Sequence, residues 1–161
     1  MVTPMEMNFN KLCGDVVVLD LQNPSQYRQL IGALMFLVNT RSDICYAVNA
    51  LSQFMTKPHH SHWIAAKHIL RYSHGLITLG LRYSTGNVKI HGYIDVDWAK
   101  NVLDKKSTSG CCFRFGSSMI FWMRRKQKYV ALSTSEAEYI AASMASYEEI
   151  WLRNIFGEIF Y

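Results

Sequence analysis

Apolar positions along the chain change their period once, and that change divides it. From Tyr27 onward Leu30, Leu34 and Leu37, with Ile31 and Val38 between them, recur at the spacing of a helix buried along one side, and Ser25 stands where a cap is wanted. A second helix is expected from Ser42-Asp43, cap and first-turn acid, through Ile44, Val48, Leu51 and Met55 to Lys57-Pro58. A third runs from a Ser61 cap through Trp63, Ala66, Ile69 and Leu70 to Gly75. Before them, residues 1–25 hold Pro4, the run Val16 to Leu19 and Asn23-Pro24-Ser25 with no helical period, which predicts an extended lead-in.

After Gly75 the period falls to two. Leu79, Leu81 and Tyr83 alternate as a candidate short pairing strand, Ser84-Thr85-Gly86-Asn87 is turn chemistry, and Val88, Ile90, Gly92, Ile94 and Val96 alternate again. Gly110 to Phe115 and Met119 to Met123 flank Gly116-Ser117-Ser118 as a hairpin. The basic turn Arg124-Arg125-Lys126-Gln127 then leads to Tyr129–Leu132, and a helix starts near Ser135 and runs to about Gly157. The predicted class is α+β, with a small helical unit over 26–78 and, over 79–161, three antiparallel strands under one long helix.

Composition narrows the picture without naming a function. Of 161 residues half are apolar and 18% charged, so the chain folds around a core and is not a disordered tail. A net charge of +5 leans towards a polyanionic partner. Cys13, Cys45, Cys111 and Cys112 have no C-x-x-C spacing, which predicts reduced thiols rather than a disulfide framework. The longest apolar run, Leu30 to Val38, is far below the roughly 18 residues of a spanning helix, and no basic-then-apolar signal opens the chain, so no membrane partner and an intracellular location are expected.

The candidate chemistry lies between residues 95 and 139. Asp95 and Asp97 fall on one face of a strand, about 6.6 Å apart. On the helix, Ala137, Ile140, Met144, Tyr147, Trp151 and Ile155 form the expected core stripe, with Glu136 flanking it and Glu138 turned to solvent. A strand aspartate and a helix-start glutamate converging on one sheet face make a hard-oxygen site of the kind Mg²⁺ takes, although a two-ion centre needs further carboxylates. The same residues have a plainer reading: strand-end surface acids, and a capping box of Ser133 with Glu136 or Ser135 with Glu138. Arg124, Arg125, Lys126 and Lys128 read more readily as a solvated hairpin turn than as a phosphate clamp. His59, His60, His62 and His68 lack a cysteine pair or H-E-x-x-H and make no zinc signature.

These residues carry a resemblance. Gly92-Tyr93-Ile94-Asp95-Val96-Asp97-Trp98-Ala99, Lys106-Ser107-Thr108-Ser109-Gly110, Lys126-Gln127, Val130-Ala131-Leu132-Ser133, Glu136-Ala137-Glu138-Tyr139 and Trp151-Leu152 resemble, in order and spacing, the RNase H segment of copia-type LTR retrotransposon Pol polyproteins. Tyr27-Arg28-Gln29-Leu30-Ile31-Gly32, Thr40-Arg41-Ser42-Asp43-Ile44, Tyr46-Ala47-Val48, Leu51-Ser52, Phe54-Met55 and Ile69-Leu70-Arg71-Tyr72 resemble the reverse-transcriptase thumb and connection region of the same polyproteins. Lys100, Ser42 and Cys111-Cys112 depart locally from the family pattern.

The resemblance implies an RNase H-like domain over 79–161 and Mg²⁺-dependent hydrolysis of RNA in RNA–DNA hybrids, with Mn²⁺ an alternative ion. Asp95 and Glu136 would be catalytic metal ligands, with Asp97 and Glu138 in support at most. Arg124, Arg125, Lys126 and Lys128 would contact the nucleic-acid backbone. The expected setting is a cytoplasmic particle or the nucleus, and the expected partners are a hybrid or other nucleic acid and the rest of a Pol polyprotein. The polymerase palm would lie upstream, and a strand with a third carboxylate would follow the long helix. A chain cut there is expected to cleave weakly or not at all, to expose an unpaired sheet edge prone to self-association, and alternatively to act as a non-catalytic nucleic-acid-binding or structural remnant.

Overall fold

The computed structural model describes residues 3–5, 19–84, 89–99 and 104–160, with side chains to 159. Most of the expected lead-in and most of the Ser84–Asn87 turn lie outside these residues. The chain divides into two compact units, Met1–Gly80 and Leu81–Tyr161.

The first unit is helical: α1 (Pro24–Val38), a 3-10 turn (Ser42–Ile44), α2 (Cys45–Ser52) and α3 (His60–Gly75). Its core joins Tyr27, Ile31 and Leu34 of α1 with Ile44, Ala47, Val48, Leu51, Ala66 and Ile69, most of them positions the helical period singles out, whereas the expected Leu30, Leu37, Met55 and Trp63 are only partly buried and Leu70 is exposed. The caps differ from expectation. Asn23, not Ser25, caps α1 and accepts the Gln26 N–H at 3.4 Å, because Pro24 takes the first helical position, where its missing N–H is no loss. His59, not Ser61, precedes α3, and its N–H donates to His62 Nδ1 at 3.0 Å. The Tyr27 hydroxyl donates to the Leu51 carbonyl at 2.7 Å, locking α1 to α2. No described helix is long and apolar enough to cross a membrane.

The second unit is a three-stranded antiparallel sheet in the order β1 (Ile90–Asp97), β2 (Thr108–Phe115), β3 (Ser118–Lys126), followed by α4 (Thr134–Phe160). The α+β class therefore holds. Gly116 takes φ 58° in the two-residue β2–β3 connection, a left-handed conformation glycine adopts without steric cost. The expected basic turn is not a turn: β3 continues through Arg124 and Arg125 to Lys126, since these residues keep their register with Gly110, Ser109 and Thr108. Leu79–Tyr83 forms no strand, although the Tyr83 hydroxyl donates to the Met119 carbonyl at 2.9 Å.

Helix α4 covers one face of the sheet. Its buried stripe is Ala137, Ala141, Ala145 and Leu152, packed over Cys111 and Phe113, with Phe156 stacked on Phe115 at 4.4 Å between ring centroids. Alanines let the helix lie close to the strands, so the expected core residues Tyr147 and Trp151 stay exposed at 73% and 51%. Cys45, Cys111 and Cys112 form no disulfide among the described residues, and burial pushes the Cys111 thiol up to about 11 and raises that of Cys112. Such thiols stay protonated and inert.

Candidate metal centre and basic strand

The side chains of a strand alternate between faces, and the register of β1 assigns them. Val96 lies opposite Ser109, Ile94 opposite Cys111 and Gly92 opposite Phe113, so the even positions face the helix. Asp95 and Asp97 therefore belong to the other, uncovered face. Asp95 is exposed, in register with Gly110, and a Cβ on Gly110 would lie 4.0 Å from the Asp95 Cβ. Asp97 is half-buried and ion-paired across the sheet to Arg124.

Glu136 sits in the first turn of α4. Its carboxylate accepts the Leu132 N–H at 2.7 Å, and its own N–H donates to Ser133 Oγ at 3.1 Å. This is the reciprocal cap, shifted by one residue at the backbone donor. Glu138 is exposed, as expected. The strand parity departs from the picture of both acids over one face: Asp95 lies on the uncovered side, and Glu136 on the helix that covers the other.

A set of buried polar contacts, not singled out from the sequence as a site, ties the strand ends to the helix start. Gln127 is buried, and its Nε2 donates to Ser109 Oγ and to the Ala137 carbonyl, both at 2.9 Å. The Gln127 N–H donates to the Ser107 carbonyl at 2.8 Å, and the Ser107 hydroxyl accepts the Ala99 N–H at 3.2 Å. The Trp98 indole N–H donates to the Ala131 carbonyl at 3.3 Å. The sequence signal for this lattice is the pair of motifs Lys106-Ser107-Thr108-Ser109-Gly110 and Lys126-Gln127, whose polar residues lie at or beside the strand ends.

The basic residues divide into two pairs. Arg124 is engaged by Asp97, and Lys126 lies 2.6 Å from Asp104, whose carboxyl that hydrogen bond holds below the usual range. Arg125 and Lys128 are exposed and carry no ion pair among the described residues. His62 is buried and stacked on Phe54 at 4.0 Å, a core position rather than a zinc ligand.

Mg²⁺ was the ion expected here. Asp95 and Glu136 are the right donor type, hard carboxylate oxygens. Yet one Glu136 oxygen already serves the cap, Asp97 is matched by Arg124, and no group of three or more His, Cys, Asp or Glu capable of holding a metal occurs among the described residues. By themselves these residues do not fit a two-ion centre.

No family model matches the chain. No solved structure matches it. Among curated proteins, the secreted RxLR effector protein 161 of Plasmopara viticola is 44% identical over 128 residues, 78% of this chain and 90% of that protein. The retrovirus-related Pol polyprotein from transposon RE2 of Arabidopsis thaliana is 40% identical over 140 residues, 86% of this chain and 10% of the polyprotein. That from transposon TNT 1-94 of Nicotiana tabacum is 41% identical over 134 residues, 83% of this chain and 10% of the polyprotein. The chain thus spans about a tenth of the Pol polyproteins it matches and most of a short relative. With linked matches of this depth along both units, the chain belongs to the family of copia-type retrotransposon Pol polyproteins, as a fragment of their sequence.

Proposed function

We propose that the second unit is the leading part of an RNase H-type nuclease, serving Mg²⁺-dependent hydrolysis of the RNA strand in RNA–DNA hybrids. The observation that carries this reading is the order of elements. Three antiparallel strands with an exposed aspartate on the edge strand β1 precede a helix whose first turn holds a glutamate, in a chain of the copia-type Pol family. Asp95 and Glu136 would hold the ion, or Mn²⁺ in its place, together with donors outside the described residues. The ion would supply charge neutralisation at the scissile phosphate, and the 2′-hydroxyl would mark the strand to be cut. Arg125 and Lys128, exposed and without ion pairs among the described residues, would meet the backbone first, and Arg124 and Lys126 only after leaving their carboxylates.

The test compares this chain with a longer Pol segment containing it, each incubated with a labelled hybrid and Mg²⁺. The expected result is cleavage by the longer segment, abolished by Asp95→Asn and by Glu136→Gln, and none by the chain alone. Undiminished cleavage in either variant would remove that acid from the site.

A second reading, non-catalytic nucleic-acid binding, is favoured by the absence of a three-ligand cluster among the described residues. Titration with hybrid at rising salt separates the two. Binding that weakens steeply with salt, with no cleavage from any segment carrying both acids, would select it.

A further inference from the structure

The far half of α4 and its start are held to the sheet by different means. The apolar cluster between helix and strands takes in Cys111, Phe113, Ala145 and Leu152, with Phe156 packed against it. Ala145 lies roughly 13 Å along the helix from Glu136, at 1.5 Å per residue. Nearer the start, the fully buried side chains of the helix are the single methyl groups of Ala137 and Ala141. Glu136 itself bonds back to Leu132 and Ser133 rather than to a strand.

The direct polar tie at this end is Gln127. Both protons of its side-chain amide are used: Nε2 donates to Ser109 Oγ on β2 and to the carbonyl of Ala137, the residue after Glu136, each at 2.9 Å. Ser109 lies opposite Val96, the neighbour of Asp95 on β1. One nitrogen therefore links the strand beside Asp95 to the peptide beside Glu136.

Stability does not account for a glutamine at this position. Its Oε1 is buried with no hydrogen-bond partner among the described residues, a cost that offsets what the two bonds contribute, and an apolar side chain of the same shape would fill the space without it. What the amide adds is a fixed distance. A swing of the helix by about 5° around Ala145 would carry Glu136 roughly 1 Å from its place. A misplacement of about 1 Å can cost on the order of a hundredfold in rate.

We propose that Gln127 is a positioning residue of the candidate nuclease site, setting the separation between Glu136 and the strand that bears Asp95 through its paired bonds to Ala137 and Ser109. The inference rests on the nuclease reading and adds to it a buried residue that bonds to neither acid.

The test is Gln127→Met, of similar length and volume, made both in the longer Pol segment and in this chain. In the longer segment kcat for hybrid cleavage should fall about a hundredfold while KM for the hybrid holds, as expected of a group that acts only on the reacting geometry. In this chain the urea midpoint should stay close to that of the wild type, and hydrogen exchange should quicken at residues 138–141 but not at Leu152. If Gln127→Met fails to fold, Ser109→Ala replaces it; that variant removes one of the two bonds and should lower kcat about tenfold. An undiminished kcat would overturn the inference. So would a loss of kcat accompanied by a lowered urea midpoint and faster exchange along the whole helix, which would reduce Gln127 to a support of the fold. No cleavage by the unsubstituted longer segment would instead remove the nuclease reading and, with it, this role for Gln127.

Discussion

The Glu136 carboxylate is bonded back to the Leu132 backbone, accepting its N–H at 2.7 Å while the Glu136 N–H donates to Ser133 Oγ at 3.1 Å. The acid nominated as a metal ligand thus already holds the start of α4. Its structural and chemical duties are separable by substitution. Glutamine keeps a carbonyl oxygen for the cap and loses the charge, so Glu136→Gln should melt like the wild type, whereas Glu136→Ala should lose about 1 kcal/mol. Urea denaturation of both variants measures this. Equal stability of the alanine variant would show that the cap contributes nothing.

The ion pairs of β3 predict an uneven response to charge removal. Arg125→Gln with Lys128→Gln should weaken hybrid binding about tenfold and lower the slope against salt by nearly two, one unit per phosphate contact. Arg124→Gln should act on stability instead, because it leaves the half-buried Asp97 without its guanidinium. Fluorescence titration at several salt concentrations checks the first, and urea melts the second. A larger binding loss from Arg124 than from the other pair would reverse the assignment.

His62 makes the helical unit sensitive to acid. Burial, aided by neighbouring His59, pushes its imidazole down from 6.5 to about 4. Between these values the unfolded chain takes up a proton that the folded chain refuses. Stability is therefore complete above pH 6.5 and falls as the pH drops towards 4, by on the order of 3 kcal/mol. Hydrogen exchange at Ile31 and Ile69 across this range reads the loss. His62→Gln, which retains an acceptor for the His59 N–H, should flatten the profile, and an unchanged slope in that variant would clear His62 of the effect.

Gly92 is fixed by a close approach. A Cβ there would lie 2.8 Å from Phe113 Cε1, and the Phe113 ring is 2% exposed, at 6.0 Å between centroids from Phe121. Gly92→Ala should cost about 1–3 kcal/mol by overpacking. Adding Phe113→Leu should make the two effects non-additive, since both act on one contact. Thermal melts of the two single variants and the double close the cycle. Strict additivity would place the strain elsewhere.

How much of this was legible beforehand depended on what each residue contributes to a pattern. Tyr27, Ile31 and Leu34 are large and apolar at helical spacing, and they form the core they predict. On α4 the expected stripe holds Ala137 but not Ala141 and Ala145, which carry little weight in such a pattern beside the larger Tyr147 and Trp151, and the buried stripe is built mainly by the small residues. The start of α3 at His59 carries no local signal, because histidine is not a usual capping residue. The acids of the candidate site and their alternation on β1 were readable, but their placement relative to the helix was not. It follows from which face α4 covers, a tertiary choice that no local period encodes. Arg124 looked like part of a turn because charge runs usually are, and its carboxylate partner lies 27 residues away in sequence.

The indole of Trp98, one residue beyond β1, is leashed to the carbonyl of Ala131, two residues ahead of the Ser133 cap. That tether joins the loop entering the helix to the tail of the acid-bearing strand. Loss of the indole N–H, as in Trp98→Phe, would release both ends of that tether at once.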